Sequence, residues 1–152
     1  MDDFRDLLAE LVNADARFLV VGAHALGVHG VPRATVDLDI WIDASPANAR
    51  RVWIALAAFG APLDELEISE ADLIRRDVVA QFGLAPYRID ILTGISGVSF
   101  AEAWEERVEA PFADVPVPFI GRAALIRNKR ASGRAKDLAD LEALGEAEDD
   151  RQ

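Results

Sequence analysis

The sequence predicts an α/β protein: a small mixed β-sheet that carries acidic side chains on one face and packs helices mainly against the other. Short β-rich runs alternate along the chain with segments of helical periodicity. One of these runs, residues 36–42, alternates apolar and acidic side chains. Because successive side chains of a strand point to opposite faces, this run predicts a strand with one acidic face.

The N-terminal region predicts a helix, a buried strand and a second, shorter helix. Residues 3–13 carry apolar side chains at the spacing of a single helical stripe. The stripe consists of Phe4, Leu7, Leu8, Leu11 and Val12. Residues 17–22 form a short β-rich run that ends in glycine, which indicates a buried strand. Residues 23–29 indicate a short helix of small residues, which a Gly-Val-Pro turn follows.

The middle of the chain predicts a capped helix and a β-hairpin. A Ser-Pro pair at 45–46 is typical of an N-cap and a first helical position, and Gly60 ends the helix. Residues 61–77 have no clear periodicity, apart from a Ser-x-x-Asp pattern that fits the cap of a short helix. Residues 78–82 and 87–92 predict two strands joined by a turn.

The C-terminal region predicts one strand and three helices. A capping box at 99–102 opens a helix that we expect to run to about Val108. Residues 115–120 are extended, and their two prolines predict an edge strand. Residues 122–131 and 135–145 predict a closing pair of helices around a Ser-Gly turn.

Length and composition bound the function. With 152 residues, we expect one domain over residues 1–145, followed by an acidic tail at 146–152. The absence of cysteine excludes disulfides, thiolate catalysis and cysteine-based zinc sites. No apolar signal core and no apolar run of about 20 residues is present, so we predict a cytoplasmic protein without a membrane partner.

Charge is unevenly distributed along the chain. The net charge of −11 argues against general binding to nucleic-acid backbones. Residues 121–136, however, contain six basic and no acidic residues. Such a local basic strip suits a small polyphosphate, although it is also compatible with a solvated helix face.

Three carboxylates predict a metal site. Asp37 and Asp39 are two residues apart in the acidic strand and therefore share a face. Asp90 is a lone acid within the apolar run 89–92 on a later strand. Adjacent like charges are costly unless a cation lies between them, and Mg²⁺ prefers a few carboxylates with phosphate oxygens. The three acids therefore predict a site for two Mg²⁺ or Mn²⁺ ions; the alternative is that all three face solvent on an open sheet.

The arrangement of these acids resembles that of the polymerase-β-like nucleotidyltransferase superfamily. Its signature is an apolar residue, Gly-Gly or Gly-Ser, a spacer, and then Asp-apolar-Asp-apolar. Here Val21-Gly22-Ala23 is followed by thirteen residues and then by Asp37-Leu38-Asp39-Ile40. The segments 29–37 and 128–141 resemble those of small standalone bacterial members, so the likeness extends from about residue 17 to residue 144. It implies a nucleotidyltransferase-like fold.

The resemblance also implies an activity: transfer of a nucleoside monophosphate from an NTP to an acceptor hydroxyl. Asp37, Asp39 and Asp90 would be the catalytic residues and the metal ligands. The nucleotide would be bound by Gly22, Ala23, Arg33, Thr35 and Lys129. Ala23 departs from the usual second Gly or Ser: it keeps the backbone N–H, but it lacks a hydroxyl and tolerates left-handed geometry poorly, which predicts less than full activity.

Some questions stay open at this level. The acceptor, which RNA, a protein or a small molecule would supply, is not indicated, and neither is the base. Without the helical domain that many superfamily members use to hold the acceptor, we expect a homodimer or a partner protein. The alternative function is a weakly active or non-catalytic nucleotide-binding module, such as a toxin–antitoxin component. A plain interaction protein without metal is a third reading.

Overall fold

The computed structural model describes residues 2–83 and 86–145. The helices are α1 (Asp2–Asn13), α2 (Gly22–Val28), α3 (Pro46–Phe59), α4 (Phe100–Glu105), α5 (Arg122–Ser132) and α6 (Ala135–Ala143), with a short 3₁₀-helix at Glu70–Ile74. The strands are β1 (Phe18–Val21), β2 (Asp37–Ile42), β3 (Val79–Phe82), β4 (Arg88–Leu92), β5 (Val108–Phe112) and β6 (Val115–Phe119).

All six strands form one mixed sheet in the order β3-β4-β2-β1-β6-β5. The central strand β2 pairs antiparallel with β1 and parallel with β4. Two antiparallel pairs, β3 with β4 and β5 with β6, form the flanks. A six-stranded mixed sheet with six α-helices confirms the predicted α/β fold class.

The alternation of β2 separates the core from the acidic face. Leu38 and Ile40 are fully buried, and helices α1 and α3 pack against each other and contact β6 and β2, respectively. Asp37 and Asp39 point to the opposite face, where both remain partly accessible. Burial of the apolar side therefore decides which way the acids point.

Capping interactions predicted from sequence are present at helix starts. The Ser45 hydroxyl accepts a hydrogen bond from the Asn48 backbone N–H at 3.3 Å, and Pro46 occupies the first helical position. Capping boxes begin at Ser69 and Ser99. Gly60 ends α3 at φ 90°, a left-handed conformation that favours glycine.

The prediction of a helix reaching Val108 is wrong. Helix α4 ends at Glu105, and Val108 instead begins β5. Strand β5 pairs with β6 along its whole length, from Val108 opposite Phe119 to Phe112 opposite Val115. This pairing comes from a later segment of the chain, so the local capping signal could not reveal where the helix ends.

The prediction of an edge strand at 115–120 is also wrong, because β6 lies between β1 and β5. Its pairing with β1 is confined to its end, where Val20 is opposite Phe119 and the Ile120 N–H donates to the Val20 carbonyl at 3.1 Å. Alternate N–H positions of a strand point the same way, so the nitrogens of Pro116 and Pro118 also face β1. The prolines lie where β1 requires no donor.

None of the described helices is long and apolar enough to cross a membrane. The predicted acidic tail at 146–152 lies outside the described residues.

Candidate active site

A cavity of about 470 Å³ opens on the acidic face of the sheet. Strands β2 and β4 form its floor, and residues from α2, α5, α6 and the loop before β2 form its walls. All the predicted site residues line it: Gly22, Ala23, Arg33, Thr35, Asp37, Asp39, Asp90 and Lys129. The fold thus brings together residues that are more than 100 positions apart in the chain.

Asp39 and Asp90 are directly paired across β2 and β4, so their carboxyl groups lie side by side. Asp90 Oδ1 is buried and has no hydrogen-bond partner in the part of the chain that the structure describes. Burial, the contact and charge of Asp90, and the charge of Asp37 together raise the pKa of Asp39 to about 7. Two neighbouring carboxyl groups in this setting favour a bound cation or a shared proton.

Asp37 shares the face of Asp39 but has a different neighbour. It is paired across the strands with Arg88, and Arg88 Nε lies 3.6 Å from Asp37 Oδ1. Within residues 2–83 and 86–145, no three acidic or histidine side chains are arranged as a ready-made metal site. Because the Arg88–Asp37 pair is largely exposed and such pairs contribute only about 0–1 kcal/mol, a divalent cation can compete for Asp37.

The donor set fits a hard divalent cation. Oxygen ligands from carboxylates are what Mg²⁺ and Mn²⁺ prefer, and the unpartnered oxygen of Asp90 lies beside a carboxyl group whose charge is disfavoured. Asp39 and Asp90 would be the primary ligands, and Asp37 would join them on release from Arg88.

The turn at Gly22 is shaped by its closeness to Asp39. Gly22 has φ 70°, and a Cβ at this position would overlap Asp39 Oδ2. Ala23 is not among the residues with positive φ. Ala23 is therefore under no left-handed strain, because the left-handed residue is Gly22; the absence of a hydroxyl at position 23 stays a reason to expect reduced activity. Both residues face the cavity, and the first amides of a helix lack intrahelical acceptors.

The side chains of Thr35 and Arg33 both interact with other residues of the protein. The Thr35 hydroxyl donates to the Asp37 carbonyl at 3.0 Å, and the Asp37 N–H donates to that hydroxyl at 3.1 Å. Thr35 thus holds the start of β2 in place. Arg33 forms an ion pair with the fully buried Asp140 of α6, which ties the loop before β2 to the C-terminal helices.

Lys129 is buried and lies between two buried carboxylates. Its Nζ is 2.9 Å from Asp140 Oδ2 and 3.3 Å from Asp137 Oδ1, and Arg134 Nε is 2.8 Å from Asp137 Oδ2. Burial acts to raise the pKa of Asp137, but hydrogen bonds from Arg134, Ser132 and Lys129 hold that pKa well below its ordinary value. Asp137 and Asp140 therefore neutralise Lys129 inside the wall of the cavity.

Sequence reasoning missed several lining residues, notably Lys136, Arg134, Asn128, Ser132 and Ser96. The positive charge of Lys136 acts on Asp39 and lowers its pKa, against the stronger influences that raise it. The basic strip at 121–136 pointed to this region, but a strip does not reveal which cations face the acids.

A larger groove of about 920 Å³ lies elsewhere, between α1, the end of α3 and the β5–β6 turn. None of the predicted site residues lines it. Its size alone does not connect it with the chemistry of the three carboxylates.

Comparisons with known proteins bear on the fold. No protein-family model matches the sequence, and no curated protein matches it. A crystal structure of a protein from Thermotoga maritima, assigned provisionally as a nucleotidyltransferase, is similar to this chain with a TM-score of 0.59 and 13% sequence identity. The likeness covers 97% of this chain and 91% of that protein. The two chains therefore share a nucleotidyltransferase-like fold over nearly their whole lengths.

Proposed function

We propose that this protein is a metal-dependent nucleotidyltransferase, which moves a nucleoside monophosphate from an NTP to a hydroxyl of an acceptor. One observation carries the proposal: Asp39 and Asp90, whose Oδ1 has no hydrogen-bond partner among the described residues, lie side by side in a cavity that basic side chains also line. The fold shared with the Thermotoga protein agrees with this activity.

In this proposal each wall of the cavity has its own role. Asp39 and Asp90, with Asp37, would hold the divalent cations. The backbone amides of Gly22 and Ala23 bind the terminal phosphates, and Lys136 adds a positive charge to the same cavity. Arg33 and Lys129 already neutralise buried carboxylates, so they shape this wall and lend the phosphates a weaker attraction.

The transfer is a displacement at the α-phosphorus. The oxygen of the acceptor hydroxyl forms a bond to that phosphorus, and the bond from phosphorus to the oxygen bridging the α- and β-phosphates breaks. Asp90 takes up the proton of the hydroxyl, and pyrophosphate leaves with the electron pair of the broken bond. The divalent cations, when bound, would offset the negative charge that develops on the phosphate oxygens.

The test begins with binding and then measures transfer. Melting curves are measured with Mg²⁺ alone, with ATP alone and with both. The rise in Tm should be largest when Mg²⁺ and ATP are added together, because they bind together and only to the folded protein. Incubation with each α-labelled NTP, together with cell RNA and cell protein, should then give a labelled acceptor.

Matched variants locate the activity. Asp39→Asn and Asp90→Asn should each lower label transfer by at least about 100-fold. Removal of a residue that only hydrogen-bonds a metal ligand already lowers metal affinity or activity by about 10- to 100-fold. Asp64→Asn, at an exposed aspartate outside the cavity, should behave as the unmodified protein does. Transfer that survives both cavity substitutions would refute the mechanism. Binding of Mg²⁺ with ATP without any transfer would favour the non-catalytic nucleotide-binding module.

A further inference from the structure

The larger groove, of about 920 Å³, lies on the side of the sheet opposite the cavity that contains the three carboxylates. Ile89 lines the groove and Asp90 lines the cavity, and successive side chains of a strand point to opposite faces. Residues of α1 line the groove from Asp3 to Asn13, which corresponds to about 16 Å of helix. The groove therefore follows the length of α1 and is separate from the site of the proposed function.

Apolar side chains remain accessible in this groove. Val12 of α1 is 38% exposed, although Leu8 and Leu11 of the same helix are fully buried. Phe59 at the end of α3 is only partly buried, and Pro62 beyond it is exposed. Accessible apolar surface that polar residues surround is typical of a protein-binding site.

Acidic side chains line the groove along α1. Asp3, Asp6 and Glu10 recur at the three- and four-residue spacing of one helical stripe, and all three are at least partly exposed. Among the described residues that line the groove, Arg5 is the one base, and it donates hydrogen bonds of 2.7 and 2.8 Å to Asp114. Four acids and one base give this lining a net charge of −3.

We infer that this groove binds a helix of a second protein, and that this helix is apolar on one face and cationic beside it. The apolar face contacts Val12 and Phe59, and the basic side chains lie beside Asp3, Asp6 and Glu10. A helix fits because basic residues three or four positions apart repeat with the same period as the acids of α1. The inference does not depend on the proposed function.

The charges favour a different protein over a second copy of this chain. The net charge of the chain is −11, and α1 carries four acids and one base, so the α1 helices of two copies repel each other. Within the basic strip at 121–136, Arg127 pairs with Glu106 and Arg134 pairs with Asp137. These cations already interact with acids of their own chain, so the partner must supply others.

Two probe peptides test the groove. Both have about 18 residues, enough for several helical turns, with leucine at the i, i+3, i+4 and i+7 positions. One carries lysine at all other positions and the other carries glutamate. Fluorescence anisotropy of the labelled peptides should show at least about tenfold tighter binding of the lysine peptide, because its charges are opposite to those of the groove. Failure of the lysine peptide to bind, or equal binding of the two peptides, would overturn the inference.

Variants of exposed residues locate the binding. The double variant Asp6→Asn with Glu10→Gln removes two charges from the groove and should weaken binding of the lysine peptide by about tenfold. The matched control, Glu105→Gln with Glu142→Gln, removes two charges from exposed acids of α4 and α6 outside the groove, and should leave the affinity unchanged. Equal weakening in both double variants would show a general attraction between opposite charges and reject the groove.

The apolar contact has its own pair of variants. Val12→Asn should weaken binding of the lysine peptide by about fivefold, since it removes apolar surface that the peptide buries. Ile54→Asn changes another exposed apolar residue, on α3 and outside the groove, and should have no effect. Binding that both substitutions alter equally, or that neither alters, would contradict docking of an apolar helix face in this groove.

Discussion

Gly22 lies directly against the carboxylate of Asp39, so the turn after β1 leaves no room between its backbone and this side chain of β2. A Cβ on residue 22 would overlap Asp39 Oδ2 and come within 3.0 Å of Asp39 Cγ. The same glycine has φ 70°, so this position requires both a left-handed backbone conformation and the absence of a Cβ atom.

Gly22→Ala should therefore lower stability and disturb the site together. We expect the free energy of unfolding to fall by about 1–2 kcal/mol from the left-handed backbone alone, with a further loss from displacement of Asp39. Binding of Mg²⁺ with ATP should weaken in the same variant. Denaturant unfolding and calorimetric titration measure the two effects.

Gly27 provides the matched control, because it also lies in α2 but has no positive φ and nothing within 4 Å of its Cβ position. Gly27→Ala should be neutral or stabilise by up to about 1 kcal/mol. A Gly22→Ala variant as stable as Gly27→Ala would show that residue 22 can relax away from Asp39.

The raised pKa of Asp39 predicts how stability depends on pH in the absence of metal. The folded-state pKa of about 7 exceeds the ordinary value of about 3.9 that applies to the unfolded chain. Between these values the folded protein binds a proton that the unfolded chain does not, so the contribution of Asp39 to stability is full below pH 4 and is lost as the pH rises through 7.

Asp39→Asn removes this dependence and should be more stable than the unmodified protein at pH 8 in EDTA, with the difference vanishing near pH 4. Urea unfolding at several pH values measures this difference in stability, with Asp64→Asn as the control. Saturating Mg²⁺ should reduce the advantage of the variant, because the cation offsets the charge that Asn removes. A difference that does not change with pH would contradict the assignment of the raised pKa to Asp39.

Asp140 holds the wall of the cavity together. It is fully buried and pairs with both Lys129 and Arg33. Asp140→Asn leaves Lys129 buried with one carboxylate in place of two, and removal of one member of a buried ion pair typically costs about 3–5 kcal/mol. We expect the free energy of unfolding to fall by about 3 kcal/mol, the lower end of this range, since the amide oxygen of the introduced asparagine can still accept a hydrogen bond.

Urea unfolding compares this variant with Glu142→Gln, which changes an exposed acid of the same helix and should alter stability by less than about 0.5 kcal/mol. Equal stability of the two variants would mean that the buried charges contribute little.

In the proposed function, Arg88 would compete with a divalent cation for Asp37. Arg88→Gln removes the cation that lies 3.6 Å from the Asp37 carboxylate, so Asp37 becomes free to bind a divalent cation. Because an exposed ion pair contributes at most about 1 kcal/mol, Mn²⁺ should bind up to about fivefold more tightly. Mn²⁺ titration followed by electron paramagnetic resonance measures the change.

Arg76→Gln, at another exposed arginine, should leave Mn²⁺ affinity unchanged. Unchanged Mn²⁺ affinity in Arg88→Gln would indicate that Asp37 takes no part in holding the ion.

The alternation of β2 predicted its acidic face, and the Ser45-Pro46 pair predicted the start of α3. The site residues that the superfamily resemblance implied all line one cavity, although other lining residues were missed. The first two signals depend on contacts between near neighbours in the chain or on the period of a strand. They succeed because burial of the apolar face forces the remaining side chains to the other side.

Other features were decided only by tertiary structure. Arg33 meets Asp140 across 107 positions, and Asn128 meets Ser96 across 32. Strand β6 is internal because a segment after α4 pairs with it. A sequence states which charges and donors exist; which of them neutralise each other is set by distances in the folded chain, because electrostatic and hydrogen-bond energies depend on separation in space rather than along the chain.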